Sequence, residues 1–381
     1  MNKKEISEIK KTLTPEKSVI NRICGCYVDG EKDIKFKSKD AFFSLSEEET
    51  FKYLDIFKHT LSGTVGKNLL NMEFSLEEEM EGGKQEFLLN LKDSKLEDDE
   101  LLEEFYKKVI ENYIYVSNYY IILIHGTYDI PGKARDGSEM DDASDYVYDY
   151  ILCSICPVNL DKSGLSYNAD TNSIGERTRA WIVGAPANGF LFPAFNDRNT
   201  DIHSLLYYSK DCEELQFSFI DNLFGTTTPR TAADQKDTFT TLIENTLGEE
   251  CSFETVKAIH ETMSEMLEET KDSPDPLVFS TEDVKHIFAD SSVSNEKLEV
   301  LEQNLMTVSE EKPAEFLASN VVDTRKFNIQ TPDVVIKVNP DRTDLVESKI
   351  INGRHCLVIE VNDHIEVNGI NISMGPVSEE E

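Results

Sequence analysis

No stretch of this chain approaches the roughly twenty consecutive apolar residues needed to cross a bilayer. The longest apolar runs, YYIILI and YILCSIC, have the length of strands. The opening residues, MNKKEISEIKKTL, lack the continuous apolar core of a secretory signal, so the expected location is the cytoplasm. Basic residues are also scarce: 38 Lys and Arg face 73 Asp and Glu, for a formal charge of −35. Such a surface repels phosphate, and direct nucleic-acid binding is not expected. Solubility is the simpler reading of the acidity, and an acidic docking surface the sharper one.

Familiar catalytic signatures are missing too. There is no GxSxG and no HExxH. SGTVGKN at 62–68 has only two residues between Gly63 and Gly66, and Asn68 where a P-loop needs Ser or Thr. It reads as a helix stop and a turn. Two stretches alternate oxygen donors like calcium loops, Asp197-x-Asn199-x-Asp201 and Asn168-x-Asp170-x-Asn172. The first has Ile202 at the glycine position and Tyr208 at the twelfth, and the second has Arg179 where a bidentate glutamate belongs. Neither is an EF-hand, and no cofactor is expected.

What remains is the composition of a folded protein, 39% hydrophobic and 29% charged, long enough for two or three domains. The N-terminal third reads as mainly helical. Ile6, Ile9 and Leu13 share a helical stripe, and Thr14-Pro15-Glu16 has the form of a helix start. Ser46 with Glu49 forms a capping box ahead of Phe51, Leu54, Phe57 and Leu61. Leu101, Leu102, Phe105 and Val109 form another stripe. From about residue 113, tyrosine and β-branched residues signal strands, with the acidic PGKARDGSEMDDAS as the loop between the first two. Helices return after Gly225, with caps at Ser252 and Ser280 and a stripe at Leu298, Leu301 and Leu305. From about 315, DVVIKV, LVESKII, RHCLVIEV and HIEVNGINI read as strands joined at Asn339-Pro340, Asn352-Gly353 and Asn362-Asp363. The expected architecture is α+β, an antiparallel sheet with packed helices, in three parts. These are an α+β body over 1–228 with its sheet from about 113, a helical segment over 229–312, and a C-terminal β-meander over 313–381.

Two groups of residues invite a functional reading. Cys24, Cys26, Cys153 and Cys156 could supply four thiolates to zinc. Against this, Cys153 and Cys156 lie within a strand pattern, where residues three apart face opposite sides, and packing as small hydrophobes is preferred. In an odd set of seven without an export signal, thiols are expected, not disulfides. The second group closes FLFPAFNDRNTDIH. Arg198 could grip an anion, His203 act as acid or base, and Asp197 or Asp201 orient it. A polar turn between two strands is the preferred reading.

RICGCYV, YILCSICPVNLDKSGLSYN and NGFLFPAFNDRNTDIHSLLYY resemble segments of DUF4317, a bacterial family known as a domain of unknown function. The resemblance implies a bacterial intracellular protein and carries no activity or catalytic residue with it. Two functional expectations follow from the residues. One is a non-enzymatic cytoplasmic binding protein, its acidic faces or C-terminal meander contacting a partner with a basic patch. The alternative is an enzyme acting on a small anionic substrate through Asp197, Arg198, Asp201 and His203.

Overall fold

Strands that are covered on both faces lose the inside–outside alternation of a half-exposed strand. YYIILI, NGFLF and SLLYYS are such runs, and all three lie in the interior of one large sheet. The computed structural model describes residues 1–133, 139–226, 228–309, 314–361 and 365–372. They divide into two compact units, Met1–Asp234 with Pro274–Pro276, and Gln235–Ser273 with Leu277–Glu381.

Unit 1 contains α1 (Lys3–Thr12), β1 (Val19–Val28), β2 (Ile34–Ala41), α2 (Glu47–Thr60), β3 (Leu69–Glu73), α3 (Lys84–Asp93), α4 (Asp99–Asn112), β4 (Tyr119–Lys133) and β5 (Glu139–Leu160). It continues with β6 (Leu165–Asn168), β7 (Ser173–Glu176), β8 (Trp181–Val183), β9 (Asn188–Phe192), β10 (Ala194–Asn196), β11 (Asn199–Asp201), β12 (Ser204–Ser209) and α5 (Phe217–Leu223). The sheet runs β2-β1-β4-β5-β9-β12-β3, with β8 on the end of β5. Neighbours pair antiparallel.

Each face carries its own core. Leu123 and Ile121 of β4, Cys153 and Ile155 of β5 and Phe190 of β9 pack with Leu88, Phe105, Val109 and Phe219 of α3, α4 and α5. Ile122, Ile124 and Leu152 look the other way, onto Ile6, Ile9, Leu54 and Phe57 of α1 and α2. Each such side chain contributes about 1.5–3 kcal/mol when fully buried. The arrangement is helices, sheet, helices. Gly189 in β9 marks the tightest part of it, because a Cβ there would lie 2.4 Å from the Cys153 carbonyl oxygen. Beside it, buried Asn188 accepts from the Tyr113 hydroxyl at 2.8 Å and donates to that of Tyr207 at 2.9 Å.

Local signals explain much of this. Ser46 accepts the Glu49 amide while Glu49 returns a bond to the Ser46 amide, starting α2 as the capping box requires, at a gain of about 1 kcal/mol. α4 buries Leu102, Phe105 and Val109. The N-terminal third departs from expectation: the sheet begins at Val19, not near 113, since β1, β2 and β3 all belong to it. β1 lies between β2 and β4 with Ile23 to Cys26 buried, so it shows no period of two. β2 does alternate, and its Lys37 and Lys39 pair with Glu103 and Asp99. Thr14-Pro15-Glu16 is a turn, not a helix start. The acidic loop after β4 partly extends the β4–β5 ladder, as far as Lys133 opposite Glu139; residues 134–138 lie outside the described set.

Unit 2 contains α6 (Ala232–Leu247), which starts in the last residues of unit 1, then α7 (Phe253–Glu269), β13 (Val278–Phe279), α8 (Thr281–Asp290), α9 (Asn295–Val308), β14 (Phe316–Leu317) and α10 (Ala318–Val321). The strands β15 (Phe327–Gln330), β16 (Val335–Val338), β17 (Val346–Ile351), β18 (Arg354–Ile359), β19 (Ile365–Val367) and β20 (Ile370–Ile372) follow. Phe239, Ile259, Met263, Phe288, Leu301 and Phe316 form its core. The helical segment and the C-terminal strands, separate in the sequence reading, thus share one unit. The meander is three successive hairpins, β15–β16, β17–β18 and β19–β20. Asn352-Gly353 turns the second, both residues at positive φ, as a type I′ turn demands. HIEVNGINI is not one strand, because Asn368-Gly369 makes the same turn inside it. Asn362-Asp363 lies outside the described residues.

The architecture is α+β. Among the described residues, no helix is long and apolar enough to cross a membrane.

Candidate functional site

Buried β9 ends at Phe192, and the chain turns polar within four residues. Asn196 of β10 pairs with Asn199 of β11, leaving Asp197 and Arg198 as a two-residue loop. Their φ values are 51° and 55°, the type I′ conformation. Arginine has no intrinsic preference for that region, so outside contacts must hold the tip. Both come from α1. The Asp197 amide donates to Glu5 at 2.7 Å. The Arg198 guanidinium donates to Glu8 through Nε at 3.2 Å and Nη2 at 3.0 Å. Glu8 also accepts the Tyr128 hydroxyl at 2.8 Å.

Asp201 and His203 look to other partners. The Asp201 carboxylate accepts from Asn196 at 2.6 Å and from the His203 amide at 3.0 Å. Burial opposes its ionisation, but the bonds from Asn196, Ser204 and the His203 amide outweigh burial and hold its carboxyl below the usual range. The His203 ring is largely exposed, and its Nδ1 lies 2.8 Å from Glu79. That bond raises the imidazole pKa above its ordinary value. The structure therefore brings Arg198 to Glu8 and His203 to Glu79, two carboxylates on separate segments. A shallow cleft elsewhere in unit 1, lined by Pro15, Ser18, Phe42, Phe43, Leu45 and Glu47 among others, contains none of the four.

The cysteines occupy the sheet interior. Cys24 pairs with Leu123, and Leu123 with Cys153, so an apolar strand separates the two thiols on one face. Adjacent strands lie about 4.8 Å apart, which puts their Cα atoms on the order of 10 Å apart. Cys26 shares that face, while Cys156 belongs to the core on the other side. Burial pushes the thiols of Cys24 and Cys26 up to about 11 and that of Cys156 to about 12, disfavouring the thiolates that a metal requires.

The family model for DUF4317, a domain of unknown function, matches residues 1–370. The chain belongs to this family. A search among curated proteins found no match.

In this DUF4317 chain, the site's partners Glu5, Glu8, Tyr128 and Glu79 lie far from 196–203 in sequence, and no local spacing announces them. Another acidic group, Asp29, Glu31 and Asp33 at the β1–β2 turn, comes within metal-ligating distance. Glu31 and Asp33 are exposed and Asp29 is half-buried; Asp29 accepts from the amides of Glu31 and Asp33 and pairs with Lys35 at 2.8 Å. Those bonds organise the turn, for which Asp-Gly at 29–30 is the legible signal.

Proposed function

We propose that this chain is a non-enzymatic cytoplasmic binding protein whose C-terminal hairpins dock on a protein partner with a basic patch. The observation that carries this reading is the state of those hairpins. β17–β18 and β19–β20 pair only within themselves among the described residues. Ile365, Val367, Ile370 and Ile372 share one face of β19–β20, and Ile370 is 70% exposed. Ile350 of β17 is 69% exposed. A two-stranded hairpin with an open apolar face is marginal in water and gains stability when the face is covered. The chain as a whole carries −35, so a basic rim on the partner would be complementary. Seven unpaired cysteines fit a reducing compartment.

The engagement of Arg198 by Glu8 and of His203 by Glu79 supports binding over an enzyme that grips a small anion there, because Arg198 would first have to leave its carboxylate. The test is affinity capture on the full chain at low and high salt, followed by titration of each purified partner. Expected is a basic-patched partner whose affinity falls with salt and at least tenfold in an Ile350→Asn, Ile370→Asn variant with unchanged circular dichroism. No capture at low salt, or a partner indifferent to both changes, overturns the proposal.

A further inference from the structure

The shallow cleft in unit 1, away from residues 196–203, has a chemistry of its own. Three segments meet there. The turn after α1 supplies Pro15 and Ser18, the single 3-10 turn after β2 supplies Phe42 and Phe43, and the first turn of α2 supplies Glu47 and Thr50. Phe42 is buried in the core shared with α1 and α2, whereas Phe43 beside it is 74% exposed. The helix dipole accounts for an acid at Glu47, in the first turn of α2, but not for an aromatic ring left in water on the same cleft.

The polar groups of the cleft are unspent. Among the described residues the Glu47 carboxylate makes no hydrogen bond or ion pair, and the hydroxyls of Ser18 and Thr50 have no partner. Adjacent Ser46 and Glu49, by contrast, satisfy each other. Arg198 and His203 are likewise engaged, by Glu8 and Glu79.

Volume and charge identify what fits. At about 260 Å³ the cleft is smaller than the roughly 300–1,000 Å³ of sites that enclose a small molecule, so it admits a side chain of a larger ligand. Near the lining residues in sequence, Glu16, Asp40, Glu48 and Glu49 outnumber Lys17 and Lys52. An anion is repelled there, and a purely aliphatic side chain would cover the Glu47 carboxylate without pairing it. Arginine answers each feature. Its guanidinium is a planar fork of donors for a carboxylate and stacks on aromatic rings, while its methylenes suit Pro15 and Leu45. An apolar residue next to the arginine gains by covering Phe43. We infer that this cleft is a docking site for an arginine side chain, carried beside an apolar residue on a peptide segment of a partner protein. The inference uses residues of unit 1 alone and is independent of the C-terminal docking proposed above.

Fluorescence anisotropy on the full chain tests it, the probe being a labelled, end-blocked glycine–serine peptide with one arginine between two leucines. Saturable binding that weakens with added salt is expected. Lysine in place of the arginine should weaken it at least threefold, because an ammonium lacks the planar fork, and glutamate should abolish it. Glu47→Gln and Phe43→Ser should each raise the Kd at least fivefold, whereas Glu48→Gln leaves it unchanged; circular dichroism checks that each variant is folded. Free arginine should not displace the probe at concentrations where the unlabelled peptide does. The Ile350→Asn, Ile370→Asn variant should bind the probe like the parent chain. No binding at low salt, equal affinity for the lysine or glutamate peptide, indifference to Glu47→Gln or Phe43→Ser, displacement by free arginine, or loss in the hairpin variant overturns the inference.

Discussion

Arg198 and Glu8, 190 positions apart in the chain, close a partly buried ion pair at 3.0 Å that ties α1 to the β10–β11 hairpin. With side chains 21% and 25% exposed, the pair lies between surface bridges and buried ones. Its expected coupling energy is about 1 kcal/mol. A double-mutant cycle with Arg198→Ala and Glu8→Gln, followed by urea unfolding, measures it. Additive effects of the two changes would mean that the hairpin tip is held by the Asp197 amide and Glu5 alone.

Acid should weaken the fold through His125. It is 1% exposed in β4, its Nδ1 has no hydrogen-bond partner among the described residues, and burial lowers its pKa below the ordinary 6.5. The unfolded chain then takes up the proton first. Stability is full above about pH 6.5 and falls as pH drops below that value. His260, lowered by burial in the same direction, adds to the loss. His125→Leu should flatten the stability profile between pH 7 and pH 5.5; an unchanged slope would remove His125 from the account.

Thiol reactivity should sort by place in the sheet. Cys24, Cys26, Cys153 and Cys156 are fully buried, whereas Cys251 is exposed. Under native conditions an alkylating reagent should modify Cys251 first and leave the four sheet cysteines intact until denaturant is added. Mass spectrometry of the labelled peptides reads this directly. Early labelling of Cys24 or Cys153 would contradict their place in the core.

Gly189 leaves no room for a methyl group. A Cβ would meet the Cys153 carbonyl oxygen at 2.4 Å and the Thr60 methyl at 2.6 Å. One neighbour is backbone of the paired strand and cannot turn aside. Gly189→Ala should cost about 2–3 kcal/mol in chemical denaturation. A loss under 0.5 kcal/mol would show that β5 and β9 can separate locally.

Local chemistry made the helices legible. The Ser46 and Glu49 box, the Leu102, Phe105 and Val109 stripe and the Asn352-Gly353 turn each hold their signal within a few residues. The N-terminal strands were hidden for the opposite reason. β1 is buried on both faces, so its pattern carries no period, and its place in the sheet is set by residues 119–127. At the candidate site, a turn was readable from Asn196 and Asp197, though not its type I′ geometry. Its anchors were not, because Glu5, Glu8 and Glu79 are brought there only by folding.

The sheet of unit 1, sealed by helices above and below, also sets where water can reach. Amides of the buried stretches 119–126, 150–156 and 188–192 have no solvent-facing side from which to open one strand at a time. Deuterium should enter them only when the whole unit comes apart, long after the exposed β19–β20 hairpin has exchanged. Exchange rates would thus separate the twice-covered strands of unit 1 from the exposed β19–β20 hairpin of unit 2.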